Sequence, residues 1–274
     1  MTVSVASLRA RPFFYTFSRW LWSIYFVLTI ALVGFVMGYM VTLPLFLLSW
    51  LLRPWIQLSR HLRSVAESVQ CLSIRFLLKI QPWLRCQTNF PTILKFYENI
   101  GTRKVMFVAN HRSNLDTFLL ISYIPSLRGL AKSSLFSNIF FAPMMWAVGF
   151  IPVQKGSIMG FVHGLRLMKE KILSQGQPVL VFPETTRCVK GFVGVQKMSQ
   201  AVFDVAIETA AVVVPIYIQG TDELLGRGDL LVHPFTSVSL KMLPSLKAKE
   251  YVSAFLLAEH VRELFLREQS VSCN

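Results

Sequence analysis

The chain has few charged residues for its length. Only 15% of its 274 residues are charged, with 28 Lys and Arg against 14 Asp and Glu, whereas a soluble domain of this size carries about 25%. Acidic residues are the scarcer sign, so the formal net charge is +14. Proteins that bind nucleic acid present a charge-rich face, but this chain is 53% hydrophobic with a mean hydropathy of +0.51. An anionic lipid surface and acidic substrates fit this balance better than a nucleic acid.

Cysteines are also few. The sequence has four, Cys71, Cys86, Cys188 and Cys273, and their spacing contains no CxxC pair and no zinc-like grouping. We therefore expect a reduced protein that faces the cytosol and holds no metal.

Charge is missing altogether from residues 20–52. This stretch is too long for the 7–15-residue apolar core of a cleaved signal peptide. As one straight helix it would span roughly 50 Å, against a hydrocarbon core of about 30 Å. A single tilted span and a re-entrant hairpin broken near Gly34, Gly38 or Pro44 are both possible. Arginines flank the run at positions 9, 11 and 19 and at positions 53, 60 and 63. Because positive charge favours the cytoplasmic side, we favour the hairpin, with the active site facing the cytoplasm, at the inner membrane in a bacterium.

Residues 56–80 read as an amphipathic helix, with apolar residues recurring every three or four positions. It could lie on the bilayer surface or pack on the domain that follows, and the sequence leaves both open. We divide the chain into an N-terminal membrane segment (1–55), an amphipathic helix and connector (56–100), and a third domain (101–274).

From residue 101 onward, strand and helix patterns alternate. Strands are predicted at residues 104–108, 129–132, 150–154, 178–182, 212–218 and 238–242. Helices are predicted at residues 114–123, 138–148, 157–174, 197–209 and 247–268. Several strands are almost wholly apolar, as expected when helices cover both faces of a sheet. The alternation predicts an α/β fold with a largely parallel central sheet flanked by helices.

Polar clusters follow three of these strands, and ligands gather at the carboxyl ends of parallel strands. The clusters are His111, the Gln154–Lys155 pair, and residues 184–187. His111 and Asp116 lie five residues apart, roughly 140° around a helix, so they meet only if the chain turns between them. A turn at Asn110, with a helix capped by Ser113 or Asn114, would allow it. The carboxylate could then orient the imidazole as a general base. Alternatively, His111 and Asp116 could simply cap neighbouring backbone groups, which would give the same spacing.

Four blocks of the sequence resemble the PlsC-type glycerolipid acyltransferases in order and spacing. Residues 110–116 (NHRSNLD) are similar to NHxSxxD, residues 149–155 (GFIPVQK) to GxIFIDR, residues 182–187 (FPETTR) to FPEGTR, and residues 214–216 (VPI) to VPV/I. Lys155 stands in place of Arg and loses the bidentate fork. Thr185 replaces a Gly, so a left-handed turn would be strained there.

The resemblance implies transfer of a fatty acyl chain from acyl-CoA or acyl-carrier protein onto the free hydroxyl of lysophosphatidate. His111 would be the general base and Asp116 its orienting partner. The other implied residues bind substrate: Asn110, Ser113, Lys155, Glu184, Thr185, Thr186 and Arg187. Lys155 and Arg187 would hold the phosphate. Glu184 would either bond a glycerol hydroxyl or orient Arg187. No bound cofactor is implied.

Four other interpretations remain open at this point. The acceptor could be lyso-ornithine lipid or lysophosphatidylglycerol, and the chain could be an inactive lipid-binding homologue. Glu184 and Arg187 could form only an internal ion pair, and Cys188 could be a nucleophile.

Overall fold

Among the described residues, the centre of the molecule is an eight-stranded sheet. The computed structural model describes residues 12–272 apart from 92, 102–103, 125–126, 140, 143–144, 147–148, 155, 190–191 and 193. The strands are β1 (Arg85–Thr88), β2 (Val105–Ala109), β3 (Arg128–Lys132), β4 (Ile151–Val153), β5 (Val179–Val181), β6 (Val212–Gln219), β7 (Ser237–Met242) and β8 (Leu246–Lys247). Their order is β1-β7-β6-β2-β5-β3-β4, with β8 paired to β6.

Most strand pairs in the sheet are parallel, as predicted. Strand β2 lies between β5 and β6, with Phe107 opposite Leu180 and Val214. The antiparallel pairs are those of β6 with β7 and β8. The C-terminal ends of the parallel strands β2, β5 and β6 therefore lie at the same edge of the sheet, which we call the carboxyl edge.

Helices cover both faces of the sheet. They are α1 (Pro12–Val33), α2 (Leu43–Leu51), α3 (Ile56–Lys79), α4 (Ile93–Ile100), α5 (Leu115–Tyr123), α6 (Ile158–Gln175), α7 (Gln200–Glu208), α8 (Thr221–Leu225) and α9 (Ala254–Ser272). Side chains of a strand alternate between faces. In β2, Phe107 joins the core with α4 and α5, while Met106 and Val108 join the core with α6, α7 and α9. The predicted α/β architecture is thus confirmed.

All six predicted strands are present, with ends shifted by at most one residue. Strands β1 and β8 were not predicted, because β1 reads Arg-Cys-Gln-Thr without an apolar run and β8 has two residues. Helices α4 and α8 were also not predicted. The helix predicted at 247–268 begins instead at Ala254, since Lys247 pairs with Val212. The helix predicted at 138–148 lies partly outside the described residues. The three-domain division stays a prediction, although β1 brings part of segment 56–100 into the sheet.

The apolar N-terminal stretch is one continuous helical run. A π-helical segment, Gly34–Thr42, joins α1 to α2. The break predicted near Gly34, Gly38 or Pro44 is therefore wrong. The wider π turn is closed by a bond from the Leu43 amide to the Gly38 carbonyl. Pro44 follows the π segment inside this continuous run, and it has no amide proton to donate to the preceding turn.

The chain reverses after α2, at residues 52–55, and α3 then runs antiparallel to α2 and the π segment. Contacts between the two arms show the antiparallel arrangement: Ser59 Oγ donates to the Ser49 carbonyl at 2.7 Å, and Thr42 Oγ1 lies 3.1 Å from Gln70 Oε1. We call α1, the π segment, α2 and α3 the helical hairpin.

Apolar side chains cover the outside of the helical hairpin. The run Phe14–Leu51 is long and apolar enough to cross a membrane, and only 11% of its most apolar window is buried. Helix α3 forms as predicted, and several of its polar side chains are buried. Buried residues include Ser59, Glu67, Gln70 and Ser73, while Leu58, Val65, Leu72 and Phe76 are exposed. Ala66 and Ile74 are buried with these polar residues, so the exposed side of α3 carries large apolar side chains as well as charged ones.

Candidate active site

His111 and Asp116 meet on a turn at the carboxyl edge. Strand β2 ends at Ala109, and α5 begins at Leu115 after a non-helical turn. Asn114 is the N-cap residue of the new helix and makes no capping bond with its side chain, while the Oγ of Ser113 accepts a hydrogen bond from the Leu115 amide at 3.2 Å. The turn brings His111 Nδ1 to 3.0 Å from Asp116 Oδ2. The predicted change of structure between the two residues is therefore present.

The Asp116 carboxylate is fully buried and rigidly held. Its Oδ2 also accepts hydrogen bonds from the backbone amides of Arg112 at 2.7 Å and Ser113 at 2.8 Å. Asp116 is 0% exposed, while the side chain of His111 is 19% exposed. Because Nδ1 faces the carboxylate, Nε2 is the nitrogen left for a substrate. The Phe182 ring stacks on the imidazole, with centroids 4.1 Å apart. This arrangement suits a general base with a fixed tautomer.

Asn110 and Ser113 fasten the turn to neighbouring elements. The Asn110 amide bonds both backbone groups of Ile218, at 2.8 and 2.7 Å, and so joins the ends of β2 and β6. Ser113 Oγ donates to the Leu225 carbonyl at 2.6 Å. Both side chains are buried, at 3% and 0% exposure. Their bonds in this structure support the framework, and the expected contact with substrate stays a prediction.

Glu184 lies beside this turn, just after β5. It is 7% exposed, accepts a hydrogen bond from Gln196 Nε2 at 3.0 Å, and takes another from the His111 backbone. Burial raises the pKa of Glu184 to about 7, although the Arg112 charge acts in the opposite direction. The next residue, Thr185, has a φ of 58°. Thr185 thus adopts the left-handed conformation for which glycine is better suited, as its sequence position suggested.

The other predicted binding residues are more exposed. Thr185 and Thr186 are exposed and Arg187 is half-buried, while Lys155 lies outside the described residues. Within the described part of the chain, Glu184 makes no ion pair with Arg187, so nothing supports a purely internal pairing. Cys188 is 3% exposed, and burial raises the pKa of its thiol above the ordinary value. Both properties disfavour the nucleophile interpretation.

Among the contacts at the site that were not predicted, three join two side chains. Phe182 stacks on His111, Gln196 holds Glu184, and Arg112 Nη1 lies 3.0 Å from Asp222 Oδ2. Phe182 lies within a recognised block, so its position at the strand end was the available signal. Asp222 is 110 residues from Arg112, and no local pattern reports such a contact.

The fold thus combines a mostly parallel sheet with a histidine–aspartate turn at its carboxyl edge. Residues 87–219 match the family model described as Acyltransferase. This match covers just under half of the chain and agrees with the resemblance of the motif blocks.

Named relatives agree with this match. A chloroplastic 1-acyl-sn-glycerol-3-phosphate acyltransferase of Arabidopsis thaliana is 32% identical over 123 residues, covering 45% of this chain and 34% of that protein. A chloroplastic protein of the same enzyme name from Brassica napus is 27% identical over 155 residues, covering 56% and 44%. The chain therefore spans between about a third and a half of these relatives. The crystal structure of the 1-acyl-sn-glycerophosphate acyltransferase PlsC from Thermotoga maritima has the same fold, with a TM-score of 0.69, 21% identity and coverage of 92% and 96%.

Proposed function

We propose that this protein is a membrane-bound O-acyltransferase that moves a fatty acyl chain from a thioester onto the free hydroxyl of lysophosphatidate, giving phosphatidate. The observation that carries the proposal is the 3.0 Å contact between His111 Nδ1 and a fully buried Asp116 inside the segment that matches the Acyltransferase family model. The enzyme names of the Arabidopsis and Brassica relatives support the choice of lysophosphatidate.

The chemistry follows from the orientation of the imidazole. His111 Nε2 takes the proton of the acceptor hydroxyl while the hydroxyl oxygen forms a bond to the thioester carbonyl carbon. The tetrahedral intermediate then breaks its carbon–sulfur bond, and the imidazolium returns the proton to the departing thiolate. Asp116 stabilises the imidazolium while it exists. General-base catalysis of this kind contributes about 10²–10⁴ in rate.

The phosphate of the acceptor is assigned to Arg187 and Lys155, which present cationic donors for an anionic headgroup. The nearby hydroxyls of Thr185 and Thr186 are assigned to further headgroup contacts. Glu184 orients a glycerol hydroxyl from its place beside the turn. The donor is acyl-CoA or acyl-carrier protein, whose reactive group is the same thioester.

The membrane supplies the acceptor, which does not leave the bilayer. The apolar outer surface of the helical hairpin supports its insertion, with the catalytic edge held at the lipid surface on the cytoplasmic side. An exposed apolar surface this large is otherwise rare on a water-soluble protein.

Purified protein in anionic vesicles, given lysophosphatidate and either donor, tests the proposal. We expect phosphatidate with at least one donor, and loss of product in His111→Ala. A panel with lyso-ornithine lipid and lysophosphatidylglycerol assigns the acceptor. Product from neither donor with any acceptor would reject the enzymatic proposal in favour of a lipid-binding role.

A further inference from the structure

The turn that carries the histidine is tied to helix α8 through a buried ion pair. Arg112 Nη1 lies 3.0 Å from Asp222 Oδ2, and the two side chains are 10% and 9% exposed. Arg112 also donates its backbone amide to Asp116 Oδ2 at 2.7 Å. One residue therefore holds the orienting carboxylate through its backbone and α8 through its side chain.

Other bonds reinforce the same connection. Ser113 Oγ donates to the Leu225 carbonyl at the end of α8. Beyond α8, the chain is held by α1: Arg19 donates to the carbonyls of Leu231 and Val232 at 3.2 and 3.3 Å. Helix α8 is thus bonded to the catalytic turn, and residues 231–232, which follow it in the chain, are bonded to α1.

We propose that Arg112 and Asp222 are positioning residues of this acyltransferase: the pair holds the His111–Asp116 turn against α8 and balances the charge beside Glu184. The reaction that they serve is the proposed function above. Neither residue is assigned a contact with substrate. Their contribution is to the geometry of the base and to the proton affinity of the neighbouring carboxyl.

The electrostatic part follows from the groups that face one another. Glu184 is influenced by Arg112 and Asp116 from the turn and by the hydrogen bonds that it accepts from Gln196 and the His111 backbone. The Arg112 charge favours the ionised carboxylate, whereas burial favours the neutral form. Asp222 partly neutralises Arg112, so it moderates the field at Glu184. Removing either member of the pair should therefore change the titration of Glu184 in opposite directions.

This opposition separates the proposal from a merely structural role. Asp222→Asn leaves the Arg112 charge unbalanced and should lower the pH at which Glu184 ionises. Arg112→Met removes the cation and should raise it. The titration can be followed by ¹³C NMR of glutamate-labelled protein in detergent, with the Glu184 signal assigned from Glu184→Gln. This readout does not depend on turnover, so it stands even where no acyl transfer is found.

Kinetics supply the second readout. Because the pair acts on geometry away from the substrate, we expect kcat to fall by roughly ten- to a hundred-fold in each variant. The KM for lysophosphatidate should stay within about threefold of wild type. The double variant Arg112→Met with Asp222→Leu removes both buried charges and should fold better than Arg112→Met alone.

A second buried pair provides the matched control. Arg128 Nη2 lies 2.5 Å from Glu67 Oε1, and both side chains are 8% exposed. This pair joins β3 to α3, away from the turn. Glu67→Gln should lower stability without moving the Glu184 titration. Shifts in the same direction for Arg112→Met and Asp222→Asn, or no shift in Asp222→Asn, would overturn the proposal. Active wild-type protein with unchanged variants would overturn it while leaving the proposed function intact.

Discussion

At the scale of single residues, Asp116 shows how one carboxylate fixes both a backbone turn and a tautomer. Its Oδ2 faces His111 Nδ1 and two backbone amides. In Asp116→Asn the side-chain oxygen can still accept from the amides, but it no longer stabilises an imidazolium. We expect kcat for acyl transfer to fall by about 10⁴, as for the equivalent change in a hydrolase triad, with little change in the thermal midpoint. Activity within tenfold of wild type would remove Asp116 from the mechanism.

The backbone of Thr185 is strained, unlike the well-bonded turn at Asp116. A left-handed conformation costs an L-residue about 1–2 kcal/mol, and Thr185 has a φ of 58°. Thr185→Gly should therefore raise the free energy of unfolding by about 1 kcal/mol, measured by denaturant titration in detergent. The neighbouring Thr186→Gly is the control, since Thr186 is not among the described residues with positive φ. Equal destabilisation by both changes would contradict the strain argument.

Glu184 should give stability a specific pH dependence. Burial raises its pKa from 4.5 to about 7, so the folded state keeps this proton more readily than the unfolded chain does. The contribution is fully present below about pH 4.5, and it is lost as pH rises through about 7. Relative to Glu184→Gln, the wild type should lose stability across this window and no further above it. Thermal midpoints of both proteins at closely spaced pH values measure the difference, and parallel curves would contradict it.

At the scale of elements, α3 has an exposed apolar stripe. Leu72 is 62% exposed and Phe76 57% exposed. If this stripe contacts lipid, Leu72→Glu and Phe76→Glu should each weaken vesicle binding by about tenfold, in a co-sedimentation assay. Val252→Glu is the matched control, because Val252 is 93% exposed beside α9, whose core lies on the other face of the sheet. Binding losses no larger than that of the control would place α3 outside the membrane.

The same helix shows what a single sequence can and cannot predict. Its apolar repeat correctly predicted a helix, because periodicity depends only on local spacing. It did not predict which side faces the protein, since the burial of Glu67 depends on Arg128, 61 residues away. The strands and the His111–Asp116 turn could also be predicted, because their patterns depend on residues close together in the sequence. The Arg112–Asp222 pair could not, because its two residues are 110 positions apart in the chain.

At the scale of the whole molecule, basic charge and apolar surface occur together. The first 100 residues hold 10 Lys and Arg against 2 Asp and Glu, and the same region contains the uncharged run 20–52. Electrostatic attraction acts over a distance and is screened by salt, whereas apolar contact with lipid is not. The two contributions to membrane binding should therefore be separable in one experiment.

We expect anionic vesicles to capture more protein than neutral vesicles at low salt, because of the +14 net charge. Once bound, the protein should remain on both kinds of vesicle in about 1 M NaCl, where the screening length is about 3 Å. Washing with alkaline carbonate should also leave it bound if the helical hairpin is inserted. The variant Leu72→Glu with Phe76→Glu provides the comparison, since it keeps the basic residues and loses apolar contact. Complete release of the wild type by salt would mean that charge alone holds it, and insertion of the helical hairpin would have to be abandoned.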